Sequence, residues 1–146
     1  MARTAILLVT LAALGWARAE AGDLTPKPGS QERKDILDAV RDPLEDVLQR
    51  EIIFRVTHLK VKDGWAFLRA TPRTKDDKPI DYKGTRFENE ASWMDESLVA
   101  VLRYKRKRWY VVTKAVFTTD VWWAGIHEEL KAPPEIFDYP IPKGDS

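Results

Sequence analysis

The sequence predicts an α+β domain in which an amphipathic helix packs on a four-stranded antiparallel meander. The first observation is the helical spacing of apolar residues between Ser30 and Leu48. The second is a change to an alternating apolar pattern after Arg50. The third is a pair of hairpin patterns, at 52–71 and 97–117, separated by a long connection. A short C-terminal helix is predicted to close this arrangement.

The N-terminal residues have the features of a secretory signal peptide. Arg3 precedes an apolar stretch from Ala5 to Leu14, and a small-x-small cleavage motif ends at Ala19. The stretch is too short to span a bilayer. We therefore expect cleavage after Ala19, or after Ala21, and a periplasmic or secreted protein with no transmembrane segment. The predicted organisation is a signal peptide at 1–19, a flexible arm at 20–29, one domain at 30–137 and a tail at 138–146.

Charge and cysteine content exclude several classes of function. Arg3 and Arg18 leave with the signal peptide, so 22 of the 24 basic residues face 23 acidic ones in the mature chain. That near-neutral balance favours no particular class of partner. The absence of cysteine excludes disulfides, thiolate metal sites and cysteine nucleophiles. A disulfide-free exported domain is typical of a bacterial periplasm.

The first helix is predicted to begin at a Ser30 cap. Its apolar stripe consists of Ile36, Val40, Leu44 and Val47, widened by Leu37 and Leu48. Pro43 interrupts this run, and because proline cannot donate the helical hydrogen bond, we expect a kink or a restart there.

The first hairpin needs an irregularity in its leading strand. Three apolar residues share a face, and the next two, Leu59 and Val61, are one residue out of step, so we predict a β-bulge at Thr57-His58. The three residues are Ile52, Phe54 and Val56. For the turn, a two-residue loop would place Val61 opposite Ala66. A three-residue loop that pairs Val61 with Trp65 and Leu59 with Phe67 keeps the apolar residues together, and this register is predicted.

The long connection from Thr71 to Glu96 exceeds the usual length of a structureless loop. Among its side chains are Tyr82, Arg86, Phe87 and Trp93. We interpret it either as a lid or binding element, or as a set of aromatic plugs that close the open end of the sheet.

The second hairpin carries the densest run of positive charge. Pairing Tyr104 with Trp109 places Leu102 opposite Val111 and leaves both faces of the strands apolar. Leu98 is then expected to lie opposite Ala115. The basic residues at the tip are Arg103, Lys105, Arg106, Lys107 and Arg108. After export, nucleic acid is not an expected partner of this tip. The expected partners are an anionic component of the cell envelope or an acidic protein. The alternative is that the tip is a soluble turn that prevents association through the strand edge.

The closing helix is expected to begin at Thr118, Thr119 or Asp120 and to reach about Lys131. Neighbouring helical residues point about 100° apart, so Trp122 and Trp123 take different positions. One is expected to bury against Trp109 or Val111, and the other to cover a rim or the mouth of a cavity.

Catalytic chemistry is sparse in this sequence. His58 lies at the predicted bulge and His127 in the closing helix, and neither has the local spacing of a zinc site or a catalytic triad. We predict no catalytic residues, no metal and no cofactor. The residues predicted to bind a ligand or partner are Tyr82, Arg86, Trp93, Asp120, Trp122 and Trp123.

Four sequence features together resemble a group of exported proteobacterial proteins. They are the run RKDILDAVRDPLE, the strand sequence LKVKDGWAFLRATP, the basic turn before Trp109 and the stretch Thr119-Asp120-Val121. The resemblance extends from about Arg33 to Phe137, and the order of elements is similar to the cystatin-like and nuclear-transport-factor-like folds. It implies a fold and an exported location but no activity, because these folds host many functions.

The first functional hypothesis is an exported, non-catalytic binding or protein-interaction module. Its partner would be a protein, a second copy bound through the sheet, or an anionic component of the cell envelope. One alternative is a small-ligand carrier or enzyme with a pocket that uses Asp120, Tyr82 or Arg86. Another is an inhibitor or immunity protein whose basic tip enters the acidic cleft of a cell-wall-active enzyme.

Overall fold

A computed structural model describes residues 24–117 and 121–138. Its four strands form one antiparallel sheet in the order β1-β2-β3-β4, which confirms the α+β class and the predicted meander. In chain order the elements are α1 (Gln31–Leu48), β1 (Ile52–Lys62), β2 (Trp65–Thr74), α2 (Glu88–Ala91), β3 (Leu98–Lys105), β4 (Arg108–Val116), α3 (Ile126–Leu130) and a 3-10 turn (Pro134–Ile136). The predicted signal peptide lies outside the described residues.

No helix in the described ranges is both long enough and apolar enough to cross a membrane.

Helix α1 begins at the predicted cap, where the Ser30 hydroxyl accepts a hydrogen bond from the Arg33 N–H at 3.3 Å. The helix continues without a break through Pro43, so the expected restart does not occur. Its buried residues are Ile36, Val40, Leu44 and Leu48. Val47 was predicted for this stripe but is only half-buried. The buried residues are spaced by four, so Leu48 takes the buried position one turn beyond Leu44.

One face of the sheet packs against α1. The β1–β2 register shifts between Val56 and His58, which confirms the predicted bulge. The shift brings the five apolar residues predicted to share a face of β1 into the core that α1 covers. They are Ile52, Phe54, Val56, Leu59 and Val61.

The predicted register of the first hairpin is wrong. The turn has two residues, Asp63 and Gly64, at φ +50° and +74°, and Val61 lies opposite Ala66. Trp65 and Phe67 consequently lie on the face opposite α1. The apolar pattern misled the prediction because that second face is also covered, so these aromatic side chains did not need to share a face with Val61.

The cover on the second face is the C-terminal segment, residues 121–138. Its apolar side chains form a core with Phe67, Val99 and Val101 of the sheet. The buried members contributed by the segment are Trp123, Ala132, Ile136 and Phe137. The described structure therefore has three layers, with the sheet between α1 and the C-terminal segment.

The second hairpin has the predicted pairing near its tip and a different one farther away. Tyr104 faces Trp109 and Leu102 faces Val111, as predicted. A register shift follows, which leaves Val112 as the extra residue of a bulge. Leu98 therefore lies opposite Val116 rather than Ala115, a correction of one residue.

Candidate functional site

The basic tip consists of Arg103, Lys105, Arg106, Lys107 and Arg108, at the end of the β3–β4 hairpin. Lys105 pairs with Arg108, so Arg106 and Lys107 form a two-residue turn at φ +49° and +66°. Tight turns of this kind favour Asn-Gly, since most side chains are strained in the left-handed region. The chain thus holds two long basic residues in a conformation that costs on the order of 1 kcal/mol each.

The charges of the basic tip have no acidic partner among residues 24–117 and 121–138. No carboxylate of the described residues lies within salt-bridge distance of its nitrogen atoms. Its two strand arginines are held instead by aromatic rings. The Arg103 guanidinium lies 4.6 Å from the Trp65 ring centroid, and that of Arg108 lies 4.7 Å from the centroid of Tyr110. Both contacts orient the guanidinium groups without neutralising them.

Open grooves lie on both sides of the basic tip. The groove on the α1 side has a volume of about 360 Å³ and includes Asp35 and Asp38. Those carboxylates already have partners on α1, so they do not pair with the tip. The groove on the opposite side has about 340 Å³ and contains no carboxylate. Its lining residues are Arg103, Lys105, Arg106, Tyr110 and Val112.

Strand β4 adds a further recognition feature, because it is at the edge of the sheet. Tyr110 and Val112 on this strand are 37% and 44% exposed, and Tyr104 on β3 is 45% exposed. Exposed aromatic and apolar side chains beside arginines are characteristic of protein interfaces. Sequence reasoning placed these residues on sheet faces but did not assign them to a site, because the bulge at Val112 could not be read from the pattern.

Tyr82 fills a core instead of lining a pocket. It is 4% exposed, and its ring lies 4.7 Å from that of Phe117 and 6.3 Å from that of Phe87. Its hydroxyl is buried and has no hydrogen-bond partner in the part of the chain that the structure describes. Burial, reinforced by the nearby Glu96 carboxylate, raises the pKa of Tyr82. This arrangement is that of the aromatic plugs considered from the sequence.

The other predicted residues of the long connection face outward. Arg86 is exposed, with its guanidinium 4.7 Å from the Phe87 ring centroid. Burial, followed by the charge of Arg86, lowers the pKa of Lys114 on β4. Trp93 is 72% exposed. Tyr82, Arg86 and Trp93 therefore do not converge on one pocket.

The two tryptophans differ in environment, as expected, but the predicted neighbour is wrong. Trp123 is 5% exposed and packs 6.0 Å from Phe67, on the face opposite Trp109. Its indole N–H donates to the Asp138 carboxylate at 3.2 Å. Trp122 is half-buried beside it, and its buried indole N–H has no partner among the described residues.

The predicted closing helix is shorter than expected. Helix α3 covers only Ile126–Leu130, and the tryptophans precede it in a series of turns. Asp120 lies outside the described residues. Because Tyr82 belongs to the core under α1 and Trp122 to the core under the C-terminal segment, the sheet separates these two groups of predicted site residues.

Both histidines make structural contacts. The His58 Nε2 atom lies 2.7 Å from the Ile136 carbonyl oxygen, so this nitrogen is the donor. The ring of His127 lies 6.2 Å from that of Phe137. Within the described ranges, no group of three or more histidine, aspartate or glutamate side chains is arranged to hold a metal ion.

No protein-family model, curated protein or solved structure matches this chain.

Proposed function

We propose that the protein is an exported, non-catalytic interaction module that binds an acidic protein surface through the basic tip and the adjoining edge of β4. The expected periplasmic location rests on the signal-peptide features, and the cystatin-like fold on the order of helix and meander. Such folds serve as binding scaffolds as readily as enzymes. Binding, not catalysis, is favoured because the two histidines are engaged in packing and hydrogen bonding within the fold.

The observation that carries the proposal is the left-handed Arg106-Lys107 turn. An Asn-Gly sequence would form the same turn with less strain. Strained backbone persists where function favours the residues that cause it. Here the strain supports a role for the two charges, since neither has an acidic partner among the described residues.

An acidic protein fits this surface better than a lipid bilayer. Amphipathic elements that enter a bilayer bury apolar side chains deeper than their basic residues. At the tip the order is reversed, because Arg106 and Lys107 form the end of the hairpin and Tyr110 and Val112 lie farther along the strand. The edge of β4 also offers backbone groups to which a partner can hydrogen-bond.

The test replaces Arg106 with Asn and Lys107 with Gly. Removing the strain is expected to raise the free energy of unfolding by about 1–2 kcal/mol. Removing the charges is expected to weaken binding of a synthetic oligoglutamate peptide by about tenfold or more. Calorimetric titration at low and high salt measures the affinity, and urea denaturation measures the stability.

The matched control replaces Lys78 and Lys83 with Gln, which removes the same charge from the connection after β2. This variant should keep the wild-type affinity. Equal binding by the tip variant and the wild type would reject the proposal, as would the absence of peptide binding at low salt. Since the tip variant is expected to be more stable, a loss of affinity cannot be ascribed to unfolding.

A further inference from the structure

The chain carries a surface that complements the basic tip. We define the acidic segment as residues 88–96, which contains four carboxylates and no basic residue. They are Glu88, Glu90, Asp95 and Glu96. No described lysine or arginine forms a salt bridge with any of them. Its charge is therefore as unpaired as that of the basic tip.

The acidic segment also presents an anchor side chain. Trp93 is 72% exposed, more than any other large hydrophobic side chain in the described residues. The segment is held in place, because Ala91 and Met94 pack against the core under α1. Exposed tryptophans on preformed backbones are frequent centres of binding energy in protein interfaces.

The two surfaces cannot meet within one molecule. The acidic segment ends just before β3, whereas the basic tip begins near the other end of that strand. From Leu98 to Lys105 an extended strand measures about 23 Å. At physiological salt, charges interact over only about 8 Å, so neither surface neutralises the other.

We infer that the partner of the basic tip is the acidic segment of a second copy of this chain. This inference rests on the proposed function and names the partner of the same site. Trp93 of one copy would contact the groove lined by Tyr110 and Val112 of the next, and the carboxylates would face the tip cations. Each copy carries both surfaces, so two copies can pair reciprocally in a closed twofold dimer, and contacts made in one direction can form a ring or an open chain.

The experiment is sedimentation velocity of the full mature chain over a wide concentration range at low and high salt. The wild type should associate as concentration rises, and added salt should reduce that association. Two charge reversals should each prevent it, R106E/K107E at the tip and E88K/D95K in the segment. An equimolar mixture of the two variants should associate again, because each supplies a surface complementary to the other.

A second variant distinguishes loss of the interface from loss of folding. Trp93→Ala changes no charge and no buried side chain, and it should weaken association by about tenfold or more. It also leaves intact the bond that Glu88 accepts from the Gly84 N–H, which E88K removes. Equal association of Trp93→Ala and the wild type would exclude the acidic segment from the interface.

The outcomes also separate this inference from the proposed function. A wild-type protein that remains monomeric at low salt but binds oligoglutamate through the tip would overturn self-association alone. A protein that neither associates nor binds oligoglutamate would overturn both. Association that survives both charge reversals would assign the contact to another surface.

Discussion

Helix α1 and the C-terminal segment cover opposite faces of one sheet by different means. The helix contributes a regular aliphatic stripe, and its polar tie to the strands is the bond between the Ile52 N–H and the Glu45 carboxylate, at 2.8 Å. The C-terminal segment has little regular structure and is tied by several polar contacts. These include His58 with the Ile136 carbonyl and ion pairs of Lys62 with Glu135 and of Arg69 with Asp138. Because the C-terminal segment has no repeating apolar pattern, these specific contacts hold it against the sheet.

Neighbouring residues of β2 provide the sharpest test of this difference. Phe67 and Leu68 are both fully buried, on the C-terminal-segment face and the α1 face respectively. Phe67→Ala should lower the free energy of unfolding by about 3–5 kcal/mol, and Leu68→Ala by about 2–5 kcal/mol. Phe67→Ala should also increase amide hydrogen exchange throughout 121–138, because it removes the centre of that core. Denaturation and hydrogen exchange measure the two effects.

Leu68→Ala serves as the control for exchange, since its cavity lies under α1. When the two variants are compared at equal global stability, the amides of the C-terminal segment should exchange more slowly in Leu68→Ala than in Phe67→Ala. Identical exchange patterns in the two variants would mean that both covers open as one cooperative unit.

The sequence predicted the elements whose pattern is local. The cap at Ser30 follows from side-chain chemistry within one turn. The bulge before His58 follows from a break in alternation within one strand. The first hairpin's register could not be predicted in the same way, because it depends on the cover over Phe67, which lies far away in the sequence. The prediction that one tryptophan packs against Trp109 or Val111 was wrong for the same reason.

The candidate site was predictable in composition and not in geometry. The basic tip was identified by its charge and by the pairing of Tyr104 with Trp109. The strain at Arg106 was not foreseen, because it required knowing that the turn contains only two residues. The proposed pocket around Tyr82 was misjudged, since the pattern does not show that Phe117 fills the space beside its ring.

The second test concerns the polar ties of the C-terminal segment. His58→Phe keeps a ring 5.4 Å from Phe67 but leaves the Ile136 carbonyl without its donor. We expect a loss of about 1–2 kcal/mol in the free energy of unfolding, with the largest increase in amide exchange in residues 121–138. Lys62→Met is the comparison, because it breaks an exposed ion pair and should lower the free energy of unfolding much less. Equal costs for the two would show that His58 acts only through its ring.

The third test concerns the unpaired hydroxyl on the α1 face. Tyr82→Phe removes a buried hydroxyl that has no partner and preserves the ring contacts with Phe117 and Phe87. The free energy of unfolding should therefore rise, by about 1 kcal/mol at neutral pH. Urea denaturation measures this gain. A loss of stability would indicate that the hydroxyl has a partner in solution.

The gain from Tyr82→Phe should increase at alkaline pH. Because the pKa of Tyr82 is raised in the folded protein, above about pH 10 the unfolded state loses this proton while the folded state retains it. The unfolded state then binds fewer protons, so the free energy of unfolding falls as pH rises. Phenylalanine does not titrate, and the lowered pKa of Lys114 acts in both proteins and cancels in their difference. A constant difference between the two proteins across this range would mean that the pKa of Tyr82 is the same in the folded and unfolded states.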